Sequence, residues 1–231
     1  MNDSEKFEVF AGWACLKDDF HLRVAKKYGP ENTLFSFWLE SLRAIIQHLD
    51  KKHVALDVGC HYGSASFWLS QHFTEVHSFD VNLDIARCCK TNMHHFLMNN
   101  VKVHPYGLGD REGTYSLSLP DKYSLKYGIK YEEYTQEYSD NGYVKTLDSL
   151  NFQTVDFIKL DVEGFEQKVI NGGLKTIDRC SPLIMYENSG FGKRYGSDKS
   201  VISILAPLGY EIVDEHPYNK DLIIKRVKNG R

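Results

Sequence analysis

Ile158-Lys159-Leu160-Asp161-Val162-Glu163-Gly164-Phe165-Glu166 runs from an apolar stretch into a glycine turn and carries two carboxylates on the way. Val155, Phe157, Ile158, Leu160 and Val162 suit a short strand buried on both faces, and Phe165 to Arg179 has the spacing of a helix. Strand, tight turn and helix in this order belong to α/β architecture, where ligands gather at the carboxyl ends of the strands. Asp161 and Glu163 are two residues apart, so extended backbone as far as the turn would send both carboxylates to one side. The structural alternative is that Asp161 or Glu163 caps the next helix while Glu166 favours its positive N-terminal end.

Working outward, the same punctuation recurs. Val54 to Val58 is an apolar run closed by Gly59-Cys60-His61-Tyr62-Gly63, with a helical stretch from Ala65 to Gln71. Glu75 to Phe79 is a second strand ending at Asp80, with a helix following from about Leu83 to Met98, and Val101 to Leu108 is a third ending at Gly109-Asp110. After residue 155, strands at 155–162, 182–187, 210–214 and 221–227 alternate with helices at 165–179 and about 197–207. This alternation predicts a three-layer α/β sheet whose last two strands form a hairpin. Leu34, Phe37, Trp38, Leu42, Ile45, Ile46 and Leu49 predict an amphipathic helix over 34–50, so residues 1–50 read as a helical segment ahead of the sheet. Thr114 to Tyr143 breaks the pattern with seven tyrosines, and reads as an insertion that is either an acceptor lid or a hairpin packed on the sheet. No internal repeat or linker divides the chain, which is expected to be one domain.

A net charge of -3 and a hydrophobic share of 42% in 231 residues imply neither a nucleic-acid-coating protein nor a disordered acidic one. No apolar run approaches the roughly 20 residues of a membrane span, and Met1 to Glu8 lacks a signal peptide's apolar centre, so no membrane association and a cytoplasmic location are expected. Cys15, Cys60, Cys88, Cys89 and Cys180 are odd in number and lack CxxC spacing, and read as free thiols. The histidines form no HxxxH or HExxH array, so no metal is expected.

Two glycines four apart, Gly59 and Gly63, sit in the first strand-to-helix turn, where a missing Cβ lets backbone approach a ligand. The spacing is not the GxGxxG of dinucleotide binding, and Asp57 precedes it. An acid there disfavours a pyrophosphate and favours a cationic ligand such as the methionine part of S-adenosylmethionine. Asp80, about twenty residues on, is placed to accept from both hydroxyls of a ribose, and Gly109-Asp110 to border an adenine. Taken singly, each signal has a plain alternative: tight strand-helix packing for the glycines, a helix cap for Asp80, a turn for Gly109-Asp110.

These motifs in order resemble the FkbM-type methyltransferases. LDVGCHYG at 56–63, SFD at 78–80, GLGDREG at 107–113, KTLDSL at 145–150, FIKLDVEGFEQKVINGG at 157–173 and PLIMYEN at 182–188 carry the likeness over about residues 54–190. It departs from the pattern where DVGANxG becomes Cys60-His61 and where a Glu-Pro pair becomes Asp80-Val81. The resemblance implies a Rossmann-like class I fold with a mostly parallel seven-stranded sheet and a C-terminal antiparallel hairpin. It further implies S-adenosylmethionine as cofactor and methyl transfer to an oxygen of a small molecule or carbohydrate, with no nucleic-acid partner expected. The candidate cofactor residues are Asp57, Gly59, His61, Gly63, Asp80, Gly109, Asp110 and Asp161, and the candidate catalytic residues are Asp161, Glu163 and Glu187. The competing readings are a nicotinamide-dependent oxidoreductase on a related fold, a nucleic-acid methyltransferase and a noncatalytic cofactor-binding protein; a missing GxGxxG and a missing Asn-Pro-Pro-Tyr-like segment weigh against the first two.

Overall fold

The computed structural model describes residues 6–17, 19–29, 43, 45–118, 128–129, 141–187, 200–215 and 221–227. In chain order it contains β1 (Phe7–Phe10), β2 (Trp13–Leu16), α1 (Phe20–Tyr28), β3 (Val54–Val58), α2 (Ser64–Ser70), β4 (Glu75–Phe79), α3 (Leu83–His95) and β5 (Val101–His104). It continues with β6 (Gly107–Leu108), β7 (Gly113–Ser118), β8 (Gly128–Ile129), β9 (Asn141–Lys145), β10 (Phe157–Leu160), α4 (Glu166–Asn171) and α5 (Leu174–Cys180). The last elements are β11 (Leu183–Tyr186), α6 (Val201–Leu205), β12 (Tyr210–Glu215) and β13 (Leu222–Arg226).

Seven strands form the central sheet in the order β12-β13-β11-β10-β3-β4-β5. The pairs from β11 to β5 are parallel, while β13 runs antiparallel to both β11 and β12, as a terminal hairpin requires. The period-2 alternation of side chains divides the core. Val54, Leu56, Val58, Ile158, Leu160, Ile184 and Tyr186 join one apolar cluster, and Ala55, Phe157, Leu183 and Met185 join another on the opposite face. Every residue of β3, β10 and β11 is buried, which is why these strands, apart from the paired charges Asp57 and Lys159, read as apolar runs instead of alternating ones. From β3 the chain builds outward through β4 and β5, then returns to β10 on the other side of β3. Strand order therefore reverses between β3 and β10, and the crevice beyond their carboxyl ends is where such a sheet takes a ligand.

The structure departs from the sequence expectations in three places. The expected third strand, 101–108, stops at His104 because Pro105 has no N–H to continue the ladder; Gly107-Leu108 instead joins a second sheet ordered β6-β9-β7-β8. The expected helix 165–179 is two helices divided at Gly172-Gly173, where a Cβ on Gly172 would lie 1.8 Å from the Gly109 carbonyl oxygen. The described part of the opening segment, expected to be helical, has the hairpin β1-β2 before α1. Its Ala11-Gly12 turn has positive φ at both positions, the geometry that closes a two-residue hairpin. Buried Asn92 of α3 anchors that hairpin, accepting from the Ala14 amide at 2.7 Å and donating to the carbonyls of Ala14 and Tyr62.

The tyrosine-rich stretch is described at its two ends and at residues 128–129, where β7 pairs with β9 and β8; residues 119–127 and 130–140 lie outside the described residues, as does most of the expected 34–50 helix. Among the described residues no helix is long and apolar enough to cross a membrane.

Candidate active site

The turn after β10 holds the carboxylates that opened the sequence reading. Backbone pairing continues one residue past the strands, with the Asp161 amide donating to the Val58 carbonyl at 3.0 Å and the Glu187 amide to Leu160 at 3.2 Å. Asp161 and Glu187 thus stand at the ends of adjacent parallel strands. Glu163 does not reach them by extended backbone. Its φ is +56°, followed by Gly164 at +101°, so the chain folds back on itself. The outcome is nevertheless convergence: carboxylate oxygens of Asp161, Glu163 and Glu187 all lie within 4.8 Å of one another. A non-glycine residue in the left-handed region costs on the order of 1 kcal/mol, which the surrounding contacts must offset.

Capping does not explain these acids. The N-cap of α4 is Phe165, with no side-chain cap bond. Glu166, buried at 5% exposure, is the acid that secures the turn: its Oε1 accepts from the Val162 and Gly164 amides at 3.3 and 3.1 Å. Burial pushes its carboxyl up to about 7, against the turn amides that pull it down and with the charge of Asp161 adding to the rise. A neutral amide keeps the acceptor, so Glu166→Gln should melt within about 1 kcal/mol of the parent near pH 7, whereas Glu166→Ala strands two turn amides and should cost about 2 to 4 kcal/mol. Calorimetric melts of the two variants check this, and equal losses would contradict it.

Across the crevice the glycine loop is shaped by its neighbours. Gly59 has φ of +80°, and a Cβ there would sit 1.8 Å from the Asp161 carbonyl oxygen, so the loop lies directly on the carboxylate turn. Gly63, φ +90°, faces Cys89 and Met93 of α3. Both glycines answer to close packing on the side where a Cβ would project. The amides of Gly59 and Cys60 donate to the Phe79 carbonyl at 2.9 and 3.0 Å, fixing the loop over the end of β4. Burial, with Cys89 beside it, pushes the Cys60 thiol well up, so it packs as a thiol.

Asp80 lies at the end of β4 and is not the helix cap; that role belongs to Asn82, whose side chain accepts from the Asp84 and Ile85 amides. One Asp80 oxygen accepts from the His61 amide at 3.1 Å and the other from the Asn82 amide at 2.9 Å. Burial raises its carboxyl to about 6, against those amides and the His61 ring. His61 holds φ of +49°, a conformation that histidine, like the asparagine of the related pattern, adopts more readily than most residues. Its ring packs on His21 and Tyr62, and its Nε2 is 3.6 Å from Asp19. Asp19, 2% exposed, caps α1; burial raises its carboxyl, but His61, His21 and the Leu22 amide outweigh that and hold it at about 2.

Three candidate residues sit differently from expectation. Asp57 is fully buried, with one oxygen 3.0 Å from Lys159 Nζ and the other accepting from Ser66 at 2.5 Å, so it supports the loop from beneath instead of facing a ligand. Gly109 is packed against Phe165 and Val144, and Asp110 pairs with Lys168 of α4 at 3.4 Å, which turns both toward the DVEGFE helix. Sequence reasoning missed Lys159, Asp19 and the role of Glu166. Lys159 had a readable signal, a single cation inside an apolar run one strand away from an acid; Asp19, more than forty residues upstream of the loop it touches, had none.

The Methyltransferase FkbM domain model matches residues 57–212. Among solved structures, the methyltransferase FkbM from Methylobacillus flagellatus KT aligns with a TM-score of 0.51 at 13% identity over 75% of this chain, and the chain covers 43% of that protein's length. A putative methyltransferase from Streptococcus mutans in complex with SAH aligns at 0.50 and 12% identity over 82% of this chain and 97% of that one. A putative rRNA methylase from Clostridium thermocellum aligns at 0.51 and 11% identity over 83% and 97%. No curated protein matches the chain. Matched by that model over residues 57–212, the chain belongs to the FkbM family of S-adenosylmethionine-dependent methyltransferases.

Proposed function

We propose that the protein methylates a hydroxyl oxygen of a small molecule or sugar. The observation that carries this reading is the convergence of Asp161, Glu163 and Glu187 at the ends of β10 and β11, across the crevice from the glycine loop. The residues present fit the cofactor: each Asp80 oxygen holds one backbone amide and keeps a lone pair for a ribose hydroxyl, and the crevice mouth is acidic, as a sulfonium favours. S-adenosylmethionine supplies an electrophilic methyl group on a positively charged sulfur. Gly59 and His61 shape the loop that receives it, and Asp161 lines the transfer pocket. Glu163 accepts or orients the acceptor's O–H, with Glu187 as the second carboxylate in reach. With the cofactor bound, the carboxylate cluster would take up the proton that the acceptor hydroxyl gives up on methylation. Alignment of acceptor oxygen, methyl and sulfur supplies much of the rate in such a displacement, so holding the acceptor matters as much as removing its proton.

The test is transfer of a labelled methyl group from S-adenosylmethionine to a panel of sugars and polyols, primary amines and RNA, with products located by mass spectrometry. An O-methyl ether is the expected product. Label on nitrogen or in RNA, with none on any hydroxyl, would overturn the assignment of the acceptor while leaving the cofactor intact. RNA belongs in the panel because a structure of similar fold bears the name of a putative rRNA methylase.

A pH dependence follows from Asp80. Ribose hydroxyls donate, so the bound state prefers ionised Asp80, and its folded pKa lies near 6. Affinity for S-adenosylhomocysteine should be constant above pH 7 and fall as pH drops through 6, by up to about tenfold per unit below it. Titration calorimetry across pH 5 to 8 should show this fall for the parent and a flat, weaker profile for Asp80→Asn.

A further inference from the structure

Lys159 is the one charged residue in β10, and it is 1% exposed. Its register partner on β3 is Asp57, 0% exposed, so two charges are buried between parallel strands in the centre of the sheet. An ion pair so placed gains little stability over apolar residues of similar volume, which makes its further contacts informative. Besides the 3.0 Å bond to Asp57, the ammonium donates to the Gly59 carbonyl at 2.9 Å and lies 3.7 Å from Asp161 Oδ2. Asp57 is held in turn by Ser66 Oγ, itself 2.7 Å from Ser78 Oγ. Neutralising Asp57 would need only the first of the lysine's contacts. The other two reach the glycine loop and the carboxylate turn, the two walls of the crevice.

We infer that Lys159 is a positioning residue that ties the cofactor loop to the carboxylate cluster, its one ammonium holding the Gly59 carbonyl and drawing the Asp161 carboxylate toward the loop. Burial alone would lower its pKa, but Asp57 and Asp161 outweigh that and raise it, so the group is a permanent cation. The inference rests on the cofactor crevice of the proposed reaction and not on the acceptor, so failure to find an oxygen acceptor leaves it standing.

The test removes the pair together, Asp57→Asn with Lys159→Met, so that no lone charge stays buried, and does so in the parent and in an Asp161→Asn background. Affinity for S-adenosylhomocysteine is read by titration calorimetry and folding by thermal melts. If Lys159 acts through Asp161, the pair replacement weakens binding about tenfold in the parent and less than about twofold when Asp161 is already neutral. Equal losses in both backgrounds, or parent-like affinity for the pair variant, would make Lys159 a structural cation only and overturn the inference. Should the pair variant not fold, the parent decides: saturation with S-adenosylhomocysteine should move the slowly exchanging Lys159 ammonium resonance in a proton-nitrogen correlation spectrum, and an unmoved resonance would reject the role.

Discussion

Gly59→Ala should lower the melting temperature by roughly 4 to 20 °C and remove measurable binding of S-adenosylhomocysteine. Two costs add at this position. The residue holds φ of +80°, which an L side chain adopts only with strain, and its Cβ would lie 1.8 Å from the Asp161 carbonyl oxygen. That obstacle is backbone, so the loop or the turn must move, and overpacking of this kind costs about 1 to 3 kcal/mol on top of a backbone term of about 1 to 2. For a domain of this length each kcal/mol is worth about 2 to 4 °C. The displaced atoms are those that place Asp161 and the Gly59 carbonyl beside the cofactor crevice, which is why binding should go with stability. Differential scanning calorimetry and ligand titration read the two effects separately. A folded variant with parent-like affinity would mean that the contact between loop and carboxylate turn does not shape the site.

The second large effect is on turnover. Glu163→Gln keeps size and hydrogen-bonding shape but cannot take a proton, and should slow methyl transfer by about 10² to 10⁴ with affinity for S-adenosylhomocysteine within about twofold. Asp161→Asn should divide its effect differently, weakening cofactor binding as well, because Asp161 lies against the glycine loop and 3.7 Å from Lys159. Glu187→Gln should fall between the parent and Glu163→Gln. Single-turnover rates with the acceptor found in the panel, set beside calorimetric affinities, separate the three. Parent-like turnover in both the Asp161 and Glu163 variants would remove those residues from the mechanism, and a larger loss for Glu187→Gln would transfer the base to β11.

The sheet was legible because its central strands are buried on both faces and are therefore apolar apart from the paired charges Asp57 and Lys159. Leu56 and Val58, Ile158 and Leu160, and Ile184 need no partner information to be placed inside. Breaks fell at single residues: Pro105 ended a strand that hydropathy would have continued, and the helix divides at Gly172, where a carbonyl some sixty residues earlier in the chain leaves no room for a Cβ. The carboxylate cluster was found by sequence proximity and chemistry, yet the geometry that assembles it is a left-handed turn at Glu163, which a two-residue spacing does not announce. Asp57 was read as facing a ligand because its type and its place just before the glycine loop are visible in sequence, whereas its pairing with Lys159, itself conspicuous as a cation in an apolar run, appears only once β3 and β10 are known to be neighbours. The hairpin at the start of the chain was missed for a similar reason: its strands are four residues each and its anchor, Asn92, is in α3.

The methyl group is expected to pass in the crevice between the loop at Gly59 and the acids at Asp161, Glu163 and Glu187. A crystal structure with S-adenosylhomocysteine tests it most directly. The ribose should lie against Asp80, with the sulfur above the glycine loop and the side that bears the methyl in the cofactor facing the three carboxylates. A sulfur turned away from them, or a nucleoside held elsewhere than at Asp80, would contradict it.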